Sequence, residues 1–108
     1  NAGHLPPFLN GSEMDVEGSL PLGAAPGIPF PVARFQLAES DTLVLMTDGV
    51  VEAQNAAGEL FGFERIGELL RKGTDGAALA AAALAFGQED DITVLTLTRV
   101  PELKAVTA

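Results

Sequence analysis

Hydrophobic and polar positions follow three different rhythms along this chain, and each rhythm predicts a different element. Leu43-Val44-Leu45-Met46 is an unbroken apolar run, the pattern of a strand buried on both faces, and Asp48-Gly49 ends it. Val32 to Ala38 alternates around Phe35 and Leu37, which predicts a strand with one wet face, and Glu39-Ser40-Asp41 then forms a turn into the buried strand. Ile92 to Val100 mixes threonine with apolar residues on both faces, as a central strand does. A helical period takes over at Phe63, Ile66, Leu69 and Leu70, with Glu64, Arg65, Glu68, Arg71 and Lys72 on the opposite side, so this helix packs on a sheet. Ala77 to Phe86 is rich enough in alanine to predict a closely packed helix, with Thr74 or Asp75 as its cap and Gly87 as its stop.

Turn chemistry divides these elements. Asn1 to Pro7 reads as a turn that follows a strand, and with no initiating methionine the expectation is that this chain is the carboxyl-terminal part of something longer. Phe8 and Leu9, followed by Asn10-Gly11-Ser12, predict a hairpin. Gly18 to Pro31 holds too many prolines for a helix or a strand ladder and reads as a surface loop. Val50 to Gln54 predicts a short helix directly after Asp48, and Asn55 to Gly58 a turn. No repeat or linker divides residues 1–101, which read as part of a single domain, and Glu102 to Ala108 reads as a tail without a fixed fold.

Composition narrows the chemistry. A chain of 108 residues supports a single domain, and 47% hydrophobic against 19% charged residues places it among folded rather than disordered chains. The net charge of −9 argues against nucleic acid or an anionic membrane as a partner. The absence of cysteine excludes thiolate nucleophiles, disulfides and thiolate zinc sites, and the single histidine excludes a multi-histidine centre. A bound metal must therefore accept oxygen ligands, which points to Mg²⁺ or Mn²⁺. No apolar run reaches the roughly 18 to 20 residues that span a bilayer and no signal peptide opens the chain, so the expected location is the cytoplasm.

Two acidic positions stand at the ends of predicted strands. Asp48 follows the buried strand at a strand-to-helix junction, and Asp90 lies in Gln88-Glu89-Asp90-Asp91-Ile92-Thr93, just before the last strand. A carboxylate held by a rigid element is a candidate ligand for a hard cation. The competing reading makes both aspartates turn or cap residues with local hydrogen bonds, and spacing alone favours it. His4 likewise has two readings, a polar group near a site or a turn residue whose ring bonds a nearby carbonyl, of which the second is favoured.

The motifs, taken in order, go further. Asn-Ala-Gly-His-x-Pro-Pro at Asn1, Pro-Leu-Gly at Pro21, Thr-Asp-Gly-Val-x-Glu-Ala at Thr47, Gly-Glu-x-Phe-Gly at Gly58 and Asp-Asp-Ile-Thr at Asp90 together resemble the carboxyl-terminal half of bacterial SpoIIE-type serine/threonine phosphatases. These form a branch of the metal-dependent protein phosphatase 2C (PPM) superfamily. The resemblance implies an α+β fold, part of an α-β-β-α sandwich of antiparallel sheets flanked by helices. It implies a two-metal hydrolase using Mn²⁺ or Mg²⁺, in which a metal-activated water attacks a phosphoserine or phosphothreonine. Residue by residue, Asp48 and Asp90 match metal ligands on the same ion. Asp91 takes a supporting role, Gly49 lets the backbone turn sharply beside the metal, and Glu52 orients waters or caps the following helix. The implied partner is a phosphoprotein, such as an anti-sigma-factor antagonist in bacterial signal transduction.

One departure is specific. The family's other metal motif, an aspartate and glycine followed by Gly-His-Gly, has no match in this chain, and in the family that aspartate bridges both ions. An alternative is therefore a non-catalytic phosphatase-like module that binds a regulatory partner, and a simple divalent-cation binding domain is a third reading. No Gly-x-Ser-x-Gly elbow or glycine-rich Lys-Ser/Thr loop supports a serine hydrolase or a P-loop enzyme.

Overall fold

A computed structural model describes residues 1–103 of the chain. The elements run β1 (Phe8–Leu9), β2 (Ser12–Glu13), β3 (Thr42–Met46), α1 (Asp48–Val51), α2 (Gly62–Arg71), α3 (Gly76–Gly87) and β4 (Val94–Thr98). The strands form an antiparallel sheet in the order β2-β1-β3-β4, and with the three helices they give the expected α+β fold. The hairpin is as predicted: Asn10 and Gly11, both at positive φ, make the two-residue turn between β1 and β2.

β3 is the interior strand that its apolar run required. Leu43, Val44 and Met46 are buried and Leu45 is half-buried. One face carries Val44 and Met46 into a core completed by Phe8, Val50, Ile66, Leu79 and Ala83. Ile66 and Leu79, each fully buried, are the largest anchors that α2 and α3 put into it. Asp75 caps α3, its Oδ1 accepting the Ala78 N–H at 2.8 Å. The start of α2 is tied to the end of α3 by Phe61 and Phe86, packed edge to face, with the Arg65 guanidinium over the Phe86 ring.

Four sequence expectations are corrected. Val32 to Ala38 forms no strand: alternation is necessary for a half-buried strand, but no neighbour offers it a ladder, and Val32 and Phe35 are exposed. The final strand is not central but at the sheet edge, paired only with β3, and Leu95 and Leu97 are half exposed at 54% and 47%. The alanine-rich helix is not closely packed all round, since only Leu79 and Ala83 are buried. The helix expected at Val50 to Gln54 begins at Asp48 and ends at Val51, so Asp48 sits in its first turn. Gly18 to Pro31 is loop, as expected. Of the expected tail, residues 104–108 lie outside the described residues. Among the described residues no helix is long and apolar enough to cross a membrane.

Candidate functional site

β3 and β4 are antiparallel neighbours, so the end of β3 and the start of β4 fall at the same edge of the sheet. That topology brings the two acidic segments together: Asp48, just beyond β3, and Asp90 and Asp91, just before β4, line one open cavity of about 340 Å³ with Gly3, His4, Thr47 and Gly49.

Thr47 fixes the junction. Its backbone N–H donates to the Thr93 carbonyl at 3.0 Å, and its hydroxyl oxygen accepts the Thr93 N–H at 2.9 Å. The same hydroxyl lies 3.4 Å from the Asp91 carbonyl oxygen. The residue before Asp48 therefore holds the segment that carries Asp90 and Asp91. Sequence reasoning gave Thr47 no role; the available signal was a hydroxyl residue at the head of a strand-to-helix turn, which normally suggests an N-cap. Here the side chain makes no cap bond and reaches across to the other strand.

Gly49 is required for a different reason from the one expected. It lies in α1 with no positive φ, so no sharp turn depends on it, but a Cβ at this position would stand 2.1 Å from the Asp91 carbonyl oxygen and 3.3 Å from that of Asp90. The absent side chain lets the first turn of α1 rest on the backbone of the acidic segment. Gly87 does similar work at the far end of that segment, where a Cβ would meet the Gln54 carbonyl oxygen at 1.9 Å and the Gly87 carbonyl accepts the Gln54 N–H at 2.9 Å.

The carboxylates themselves are exposed. Asp90 Oδ1 accepts the Asp91 N–H at 2.7 Å. Among the described residues the ion pair is Arg65–Glu59, remote from the cavity, so no protein cation neutralises Asp48, Asp90 or Asp91. The acids that line this cavity have no basic partner, so solvent or a cation must screen their charge. The donor set is all oxygen and suits a hard divalent ion. It fits as part of a coordination sphere: among the described residues no group of three histidine, cysteine, aspartate or glutamate side chains is arranged to hold a metal alone.

His4 makes the turn contact that was favoured. Its Nδ1 lies 2.9 Å from the Leu5 carbonyl oxygen, which can only accept, so Nδ1 donates this hydrogen bond. The residue also lines the acidic cavity. Asn1 closes this turn, with its Oδ1 accepting the His4 N–H at 2.8 Å. Glu52 is not brought to the cavity; it is the exposed residue that ends α1 and does not cap a following helix.

A larger cavity of about 430 Å³ opens at the opposite end of the sheet beside Thr42, Thr96, Thr98 and Arg71. The N-terminus of α3 that borders it is already occupied by the Asp75 cap, which is the one carboxylate in its lining.

Comparison with known proteins gives one family and one structural relative. The family described as Stage II sporulation protein E (SpoIIE) matches residues 1–100. The chain is also similar to a crystal structure of the RsbU and RsbW domains of Rv1364c from Mycobacterium tuberculosis, with a TM-score of 0.67 and 28% identity. That match covers 95% of this chain and 32% of the other, so the chain spans about a third of that relative's length. No curated protein matches it.

Proposed function

The chain belongs to the SpoIIE family, and from that premise we propose that it contributes to a PPM-type protein phosphatase in which Asp48 and Asp90 hold a divalent metal ion. The supporting observation is the shared cavity at the end of β3, where both carboxylates converge without a protein counterion. Mn²⁺ or Mg²⁺ fits the all-oxygen donors, and the complete domain takes two ions. Such ions lower the pKa of bound water and neutralise charge on phosphoryl oxygens. The chain's own residues position this chemistry: Thr47 fixes the Asp91–Thr93 segment, Gly49 lets α1 approach it, and Asp91 orients Asp90 through its N–H.

Residues 1–101 act as the carboxyl-terminal part of the phosphatase domain, and the remaining metal ligands come from outside them. The substrate is a phosphoserine or phosphothreonine protein in a cytoplasmic signalling route, with an anti-sigma-factor antagonist as the partner class. The similarity to a protein with both RsbU and RsbW domains supports a regulatory protein partner.

A second reading, a non-catalytic phosphatase-like module, is favoured by one observation: the cavity brings two candidate ligands together but no cluster of three. Mn²⁺-dependent hydrolysis of p-nitrophenyl phosphate and of a phosphoserine peptide, by the chain and by Asp48→Asn, separates the two. Turnover that falls at least about tenfold in the variant supports the phosphatase. Peptide binding without turnover supports the module.

A further inference from the structure

The larger cavity, at the end of the sheet away from Asp48 and Asp90, is the second place where polar groups collect. Directly opposed residues of an antiparallel pair share a face, so Thr42 with Thr98, and Val44 with Thr96, stand on the same side as Met46, the side that meets the helices. At the Met46 end that side is core. At the Thr42 end it turns polar, and the floor of the cavity is three threonines beside Val44. The Thr42 and Thr98 hydroxyls bond one another at 3.0 Å. Both flanks belong to this chain: the Asn10-Gly11 turn on the side of β1, and Gly76 at the start of α3, where a Cβ would stand 2.6 Å from the Thr96 Oγ1.

Two opposite charges line this space. Arg71 ends α2 and Asp75 caps α3, and among the described residues neither forms an ion pair, with the other or elsewhere. Each is held by other contacts. Arg71 is seated on glycine: a Cβ at Gly11 would stand 2.6 Å from its Cγ and one at Gly67 2.9 Å from its Nη1, which donates to the Gly11 carbonyl at 3.0 Å. Asp75 gives Oδ1 to the Ala78 N–H and keeps Oδ2. A fixed guanidinium with N–H groups to spare matches a carboxylate, and a fixed carboxylate oxygen matches an ammonium. At about 430 Å³ the space falls in the range of small-molecule sites.

From this combination we infer that the cavity binds a small zwitterion of the α-amino-acid kind, its carboxylate on Arg71, its ammonium on Asp75 and its side chain over Val44 and the threonine hydroxyls. An anion alone would meet the Asp75 carboxylate, and a cation alone the Arg71 guanidinium. A molecule that carries both charges suits both groups. Because the two side chains are already held, little ordering opposes binding. The inference goes beyond the phosphatase reading and does not depend on a metal.

Amide chemical shifts of the full chain, followed residue by residue, test this. The probes are glycine, L-serine, L-glutamine and L-leucine, each titrated to millimolar concentration, with the N-acetyl derivative and the carboxamide of each as controls. At least one free amino acid produces saturable shifts at Thr42, Thr74, Thr96 and Thr98 and leaves Thr47 and Asp91, at the other end of the sheet, unmoved. Blocking either charge weakens its binding at least about tenfold. Asp75→Asn keeps the helix cap, because asparagine caps as well as aspartate, and protection of the Ala78 amide from hydrogen exchange reports that it does. In this variant the free amino acid binds no more tightly than its N-acetyl derivative. Arg71→Met keeps an apolar stem against Gly11 and removes the preference for the free acid over the carboxamide. No saturable shift at the threonines with any probe overturns the inference. Blocked derivatives that bind as well as the free amino acid overturn it, and so does an Asp75→Asn variant that still rejects the N-acetyl derivative.

Discussion

At the scale of single residues, the site depends more on what supports the carboxylates than on the carboxylates alone. Gly49→Ala places a methyl group against the Asp91 carbonyl, and a forced shift of packed backbone costs about 1 to 3 kcal/mol. Denaturant unfolding measures that loss, and Mn²⁺ affinity should fall with it. Thr47→Val keeps the shape but removes the acceptor for the Thr93 N–H, a loss of about 1 kcal/mol, whereas Thr47→Ser retains the bond. If Thr47 positions the site, Mn²⁺ affinity falls in the valine variant and recovers in the serine variant, a pattern that simple loss of stability would not give. Asp41 makes a separate prediction. Hydrogen bonds from the Asn10 side chain and then from the Ala38 N–H hold its carboxyl below the ordinary value of 3.8. A depressed folded-state value means the stabilisation is complete above the unfolded value and is lost as pH falls through the folded one. Unfolding free energy measured against pH should decline below about pH 4, and Asp41→Asn should flatten that acid limb. The exposed position keeps the effect small.

At the scale of elements, the sequence was most legible where a local rule and the tertiary contacts agree. β3 has an apolar run and neighbours on both sides; α2 has a one-sided period and a core to receive Ile66; the β1–β2 hairpin has turn residues that tolerate positive φ. It was least legible where only a partner could decide the outcome. Val32 to Ala38 alternates but meets no ladder, and the strand at Val94–Thr98 has the composition of an interior strand while lying at an edge. Thr47 and Gly49 were obscured for another reason: each acts on a segment more than forty residues away, a distance no local pattern reports. The Asp75 cap is the local rule at its clearest. Asp75→Ala should lower stability by about 0.5 to 2 kcal/mol in a denaturant titration, with the melting of α3 at its amino end visible in amide exchange.

At the scale of the whole molecule, the described residues leave two features open. One face of the sheet packs on helices, whereas Leu95 and Leu97 on the other stay half exposed, and the cavity at its edge collects carboxylates without a cation or a third ligand. Both features fit the proposal that further ligands and packing come from outside these residues. Family membership and the match to about a third of a longer relative are consistent with that. The central claim is that Asp48 and Asp90 share one divalent ion, and the most direct measurement is Mn²⁺ binding followed by electron paramagnetic resonance for the chain, Asp48→Asn and Asp90→Asn. A shared ion predicts a specific site in the chain and at least about tenfold weaker binding in each variant, while the variant carrying both substitutions binds no more tightly than a nonspecific acidic surface. Equal binding by all forms would contradict it and return both aspartates to the role of turn residues.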